Sequence, residues 1–124
     1  MTQRHLLDSS QRAAVGYVCF GALLLLQVQL LYLATGTGPP PFAHADKVVH
    51  FLMFALPAAV AAVVRSRAMI VVLIVHAVIS EPAQRVLTSG RQMDVWDAVA
   101  DLLGVALGVA AIALIRARVK VGQR

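Results

Sequence analysis

The chain has 124 residues, of which 60% are hydrophobic and 14% charged, with a net charge of +5. A soluble domain is about one quarter charged, and so short a chain has too little interior to hide this much apolar surface, so a water-soluble globule is excluded. The basic residues sit at the edges of apolar runs rather than on one face, which argues against a nucleic-acid partner. A single cysteine, Cys19, rules out a disulfide within the chain and a cysteine-based metal centre.

Four apolar segments follow in chain order, and they predict an all-α, polytopic membrane protein: one domain over 1–124, a bundle of four transmembrane helices. The first span, about 13–34, is long enough to cross roughly 30 Å of hydrocarbon. It exceeds the roughly 7–15 apolar residues of a signal-peptide core, and no small-x-small cleavage site follows, so it is expected to be retained. Thr35 to Ala45 form a Gly/Pro-rich connection. The second span covers about 48–64 and the third about 68–87, joined by the very short turn Arg65-Ser66-Arg67, which predicts a tight helical hairpin. The fourth covers about 97–115.

Direction follows from the basic residues. Arg4, Arg12, Arg65, Arg67, Arg116, Arg118, Lys120 and Arg124 fall on one side; Lys47, Arg85 and Arg91 fall on the other. Positive charge is retained on the cytoplasmic side, so both termini are expected there. The acidic residues have the opposite bias: Asp46, Glu81, Asp94, Asp97 and Asp101 lie toward the outside, and only Asp8 inside.

Counting from the cytoplasmic turns gives a polar layer. His50 precedes Ser66 by 16 residues and Glu81 follows it by 15; Asp101 precedes Arg116 by 15 and Gln27 follows Arg12 by 15. At 1.5 Å per residue all four stand about 22–24 Å above the cytoplasmic ends, within the outer half of the bundle. Ionisable groups at such depth face the bundle interior and pair. Asp46 with His50, Glu81 with Gln84, and Asp97 with Asp101 each share a helix face. The two aspartates should repel unless a cation intervenes, with Arg91, His50 and Lys47 as candidates, or unless one of them is protonated.

Structural roles compete for several of these residues. Asp94 and Asp46 suit helix N-caps, and Asp97 suits the first turn of a helix. Pro82 removes a backbone donor beside Glu81 and should kink or open the third helix. His76 fits an interhelical hydrogen bond, and Gly104 with Gly108 a close helix crossing. His50 and the neighbouring carboxylates have the donor types of a metal site. They lack the spacing of any specific ligand motif, so no metal or cofactor is expected. Neither Ser80 nor Ser89 belongs to a readable triad, and no catalytic residue is assigned.

The segments Asp46-Lys47-Val48-Val49-His50-Phe51, Ser80-Glu81-Pro82-Ala83-Gln84, and Gly90-Arg91 followed by Asp94, Asp97 and Gly104 resemble the VanZ-like family. That pattern reads DKxxHFxxF, DExxQ and GRxxDxxDxxxNxxG, and covers Asp46 to about Gly108. Ser80 stands where an aspartate is usual and Asp101 where an asparagine is usual. The resemblance implies a small bacterial multi-span protein of the plasma membrane, and the founding member confers low-level resistance to the glycopeptide teicoplanin. A family fixes a scaffold better than a function. The leading expectation is a non-enzymatic module of the cell envelope. It binds or translocates an amphipathic ligand, a membrane lipid or lipid-linked envelope precursor, through Asp46, His50, Glu81, Gln84, Arg91, Asp97 and Asp101. Arg91 would serve as anion clamp. The alternatives are an intramembrane hydrolase or transferase using Glu81 or Asp97 as base, and a structural subunit of an envelope complex.

Overall fold

The computed structural model describes residues 8–34, 38–88 and 94–123. Four α-helices fill it: α1 (Ser9–Val28), α2 (Ala45–Val63), α3 (Arg67–Leu87) and α4 (Val95–Val121), with α1 continuing into a π-helical turn at Gln29–Leu33. All four are long and apolar enough to cross a membrane, and the protein is a multi-pass membrane protein of all-helical class.

The helices outrun their apolar segments because polar residues cap them. Asp8 accepts from the Gln11 amide at 2.7 Å while the Gln11 side chain accepts from the Asp8 amide at 3.0 Å, a reciprocal capping box that starts α1 ahead of the first apolar residue. Ser66 caps α3 through the Met69 amide. Asp94 caps α4, accepting from the Trp96 amide at 2.9 Å. At its far end α4 carries its helix through Arg116, Arg118 and Lys120 to Val121; 27 residues span about 40 Å, more than the hydrocarbon, so the last turns lie among headgroups. One expectation needs correction. Asp46 does not cap α2: the cap position is His44, in a left-handed conformation (φ 61°), and Asp46 lies in the first turn. Pro82 lies inside α3, which runs on to Leu87.

Large apolar side chains point outward: Leu25, Leu52, Leu56, Val75, Leu107 and Leu114 are all exposed. The interior combines a few large apolar side chains, Phe54, Leu31 and Leu73, with many small and polar residues, among them Ala58, Ala61, Ala77, His50, Gln84 and Asp101. An apolar exterior around an interior rich in small and polar residues suits lipid as solvent, because helices in a bilayer associate through close packing and polar contacts rather than by hiding apolar surface.

The largest interface joins α2 to α4. It depends on Gly104 and Gly108: a Cβ at Gly104 would stand 2.4 Å from the Phe51 carbonyl oxygen, and one at Gly108 2.4 Å from that of Ala55. Contacts of known partners also sort the two ends of the bundle. Arg116 Nη2 donates to the Val63 carbonyl at 2.8 Å, tying the end of α4 to the end of α2. At the opposite end Gln84 Nε2 donates to the Leu31 carbonyl at 2.9 Å, tying α3 to the π-helical turn. Arg12, Arg65, Arg67, Arg116, Arg118 and Lys120 therefore gather at one end, and the acidic residues Asp46, Glu81, Asp94, Asp97 and Asp101 at the other.

Candidate functional site

The close α2–α4 crossing brings the first turns of both helices face to face at the acidic end. Spacings of three and four residues put Asp46, Lys47 and His50 of α2 against Asp94, Asp97 and Asp101 of α4, and α3 closes the third side with Ser80 and Glu81.

Lys47 is the hub of the outer part. Its ammonium donates to Asp94 Oδ2 at 2.7 Å, Asp46 Oδ2 at 2.9 Å and Asp97 Oδ1 at 3.1 Å. Three donors meet three carboxylates, so the ammonium is saturated. Asp94 uses both oxygens, one for Lys47 and one for the α4 cap; the Lys47 hydrogen bond first, and the Trp96 amide second, hold its carboxyl below the usual aspartate range. The α4 start and the cation are thus one unit. A cap and a site are not alternatives here.

A deeper part lies one turn further in. His50 Nδ1 is 2.9 Å from Asp101 Oδ1, with both side chains buried. An ionised carboxylate only accepts, so Nδ1 carries the hydrogen. The second Asp101 oxygen accepts from Ser80 Oγ at 3.1 Å, and the Ser80 hydroxyl also faces the Ala77 carbonyl at 3.0 Å. Glu81 Oε2 accepts from the Asp94 amide at 2.9 Å. Repulsion between Asp97 and Asp101 is relieved by separate partners: Lys47 takes the first, His50 and Ser80 the second. Two atoms at this level, His50 Nε2 and Glu81 Oε1, are buried with no hydrogen-bond partner among the described residues. Asp97 Oδ2 stands 3.7 Å from His50 Nε2, beyond hydrogen-bond reach.

Connectivity decides one chemical question. In a hydrolytic triad the imidazole sits between hydroxyl and carboxylate. Here Asp101 sits between Ser80 and His50, so the imidazole does not reach the hydroxyl and Ser80 is a buried orienting group, not a nucleophile.

Of the seven residues read from the sequence, Asp46, His50, Glu81, Asp97 and Asp101 converge. Asp46 lies at the exposed rim and the other four are buried. Gln84 is buried but serves the Leu31 carbonyl. Arg91 lies outside the described residues, and so does its proposed role as anion clamp. Gln27, counted to the same depth, is buried between α1 and α2 beside Leu23, Val49, Met53 and Pro57, and its amide has no hydrogen-bond partner among the described residues. His76 meets the Tyr32 hydroxyl at 3.0 Å and packs against Tyr32 and Phe54. Lys47, a candidate cation for the aspartates, and Ser80, a motif position without a readable triad, are not among those seven, yet the cluster uses both.

Beside the cluster an open groove of about 480 Å³ runs down the bundle surface between α2 and α4, lined by His44, Lys47, Trp96, Val99, Ala100 and Leu103. Its exposed lining is almost wholly apolar, with His44 and Lys47 at the end nearest the cluster. No protein-family model, curated protein or solved structure matches the chain.

Proposed function

We propose that this is a multi-pass protein of the bacterial plasma membrane, VanZ-like in type, with both termini in the cytoplasm. It binds an amphipathic envelope ligand, a lipid or lipid-linked precursor, at its outer face. The observation that carries the reading is the groove: Trp96, Val99 and Leu103 line the path of an apolar tail, and His44 stands at the end beside the charged cluster, where a ligand headgroup would lie. Clefts with an apolar lining and a few convergent polar groups are the usual form of a ligand site. The excess of basic residues at the opposite end supports the orientation.

The two departures from the family pattern meet in space. Ser80 and Asp101 touch at 3.1 Å, so a carboxylate missing from α3 is supplied across the interface by α4. Lys47, His50, Glu81, Asp94 and Asp97, five further motif positions, all bond or line the same cluster.

The experiment is lipid analysis of protein extracted into nanodiscs without prior delipidation. One lipid class should be enriched over bulk membrane. Leu103→Trp, which fills the apolar part of the groove and leaves the polar cluster intact, should reduce that enrichment about tenfold, equivalent to ~1.4 kcal/mol of binding. A lipid profile equal to bulk membrane in both proteins would contradict the reading.

A further inference from the structure

We propose that His50, Glu81 and Asp97 form a binding site for a divalent first-row metal ion, with zinc the best fit, contrary to the expectation from sequence. The three side chains are buried, and one ligand atom from each lies within 4.8 Å of the other two.

The pattern of used and unused atoms carries the assignment. Each residue has one polar atom anchored by a neighbour. His50 Nδ1–H donates to Asp101, Glu81 Oε2 accepts the Asp94 amide, and Asp97 Oδ1 accepts Lys47. The second atom is left over in each case. His50 Nε2 and Glu81 Oε1 are buried without a partner among the described residues, in side chains that are 1% and 4% exposed. With the hydrogen on Nδ1, Nε2 presents a lone pair, and the facing Asp97 Oδ2 is also an acceptor. Two acceptors 3.7 Å apart repel unless a cation lies between them. Zinc bonds of roughly 2.0–2.2 Å at a tetrahedral angle place two ligand atoms about 3.4 Å apart, close to this spacing. A carboxylate on the far ring nitrogen is the usual support of a metal-binding histidine, and Asp101, steadied by Ser80, occupies that position.

Charge points the same way. Asp46, Glu81, Asp94, Asp97 and Asp101 bring five carboxylates together, and Lys47 is the one lysine or arginine bonded to them among the described residues. Uncompensated charge at this depth is costly. A second carboxylate group, Asp46, Asp94 and Asp97, also has ligand spacing, but the Lys47 ammonium already lies within 3.1 Å of all three. An imidazole with two carboxylates favours zinc over magnesium or calcium, which prefer oxygen alone. Three protein ligands leave a fourth position for a group from outside the chain.

The site does not depend on the lipid reading, because the probe is zinc alone and the medium is detergent. Full-length protein is stripped with chelator, reloaded with zinc chloride, freed of excess and analysed for metal. One zinc per chain is expected, with a rise in Tm. His50→Gln and Glu81→Gln should lose it. Asp101→Asn should weaken affinity about 10–100-fold, as loss of an orienting partner does. Asp46→Asn, at the exposed rim, should retain the metal. If either ligand variant fails to fold, zinc X-ray absorption of the unaltered protein decides, since it must show one imidazole among oxygen neighbours. Folded protein that neither retains zinc nor gains stability from it would overturn the proposal. So would a bound zinc without imidazole, or equal zinc content in folded His50→Gln and Glu81→Gln.

Discussion

Replacing Asp101 with alanine is expected to destabilise the protein by about 2–3 kcal/mol, the cost of leaving the buried His50 Nδ1–H without its charge-assisted acceptor. The pair is His50 Nδ1 with Asp101 Oδ1 at 2.9 Å, and Asp101 is fully buried. Ser80 loses less, because its hydroxyl still faces the Ala77 carbonyl at 3.0 Å. Asp101→Asn should cost only about 1–2 kcal/mol, since its carbonyl oxygen still accepts from the imidazole. The magnitude is informative in itself. An ordinary interhelical hydrogen bond in a membrane protein is worth about 0.6–2 kcal/mol. A loss at the lower end of that range for the alanine variant, measured by detergent-titrated unfolding, would make the pair an ordinary hydrogen bond; a larger loss makes it a charge-assisted one.

Gly108→Val should be comparably damaging by a different route. The new Cβ would stand 2.4 Å from the Ala55 carbonyl oxygen, and backbone cannot swing aside as a side chain can. Relief requires α2 and α4 to separate, which loosens the interface that aligns Lys47 with Asp94 and His50 with Asp101. Overpacking typically costs about 1–3 kcal/mol, and here the loss of polar geometry adds to it. Gly21→Ala is the control. No atom lies within 4 Å of a Cβ at Gly21, and alanine is the better helix former, so no loss of stability is expected. Equal stability of Gly108→Val and the unaltered protein would mean that the helices do not cross as closely as described.

These two variants mark what was legible in the sequence and what was not. Span number and class followed from apolar length, and the observed helices cover the four segments except for Ala34 and Val64 at their ends, with other ends extended by a few residues. The shifts come from caps such as Asp8 with Gln11 and Asp94 with Trp96, which extend a helix into polar sequence. Depth was legible because 1.5 Å per residue is a reliable ruler: His50, Glu81 and Asp101 do share a level. Rotation about each helix axis was not. Gln27, counted to the same depth, faces a different interface, between α1 and α2. Partner choice was also out of reach. Asp97 had three candidate cations, and only packing selected Lys47 over His50, at 3.1 Å against 3.7 Å. Ser80 stood out as a motif position but pointed to no partner, because a serine in an apolar helix more often bonds its own backbone, as this one also does.

The central claim is that the polar cluster opens to the outer side of the membrane, and thiol labelling tests it most directly. In a Cys19→Ser background, Gly38→Cys lies beside the cluster end and Gly122→Cys at the basic end, both exposed. Applied to intact cells, a membrane-impermeant maleimide should modify the cysteine at position 38 and leave that at position 122 unmodified until the membrane is opened. Modification at 122 with protection at 38 would turn the cluster toward the cytoplasm and contradict the account.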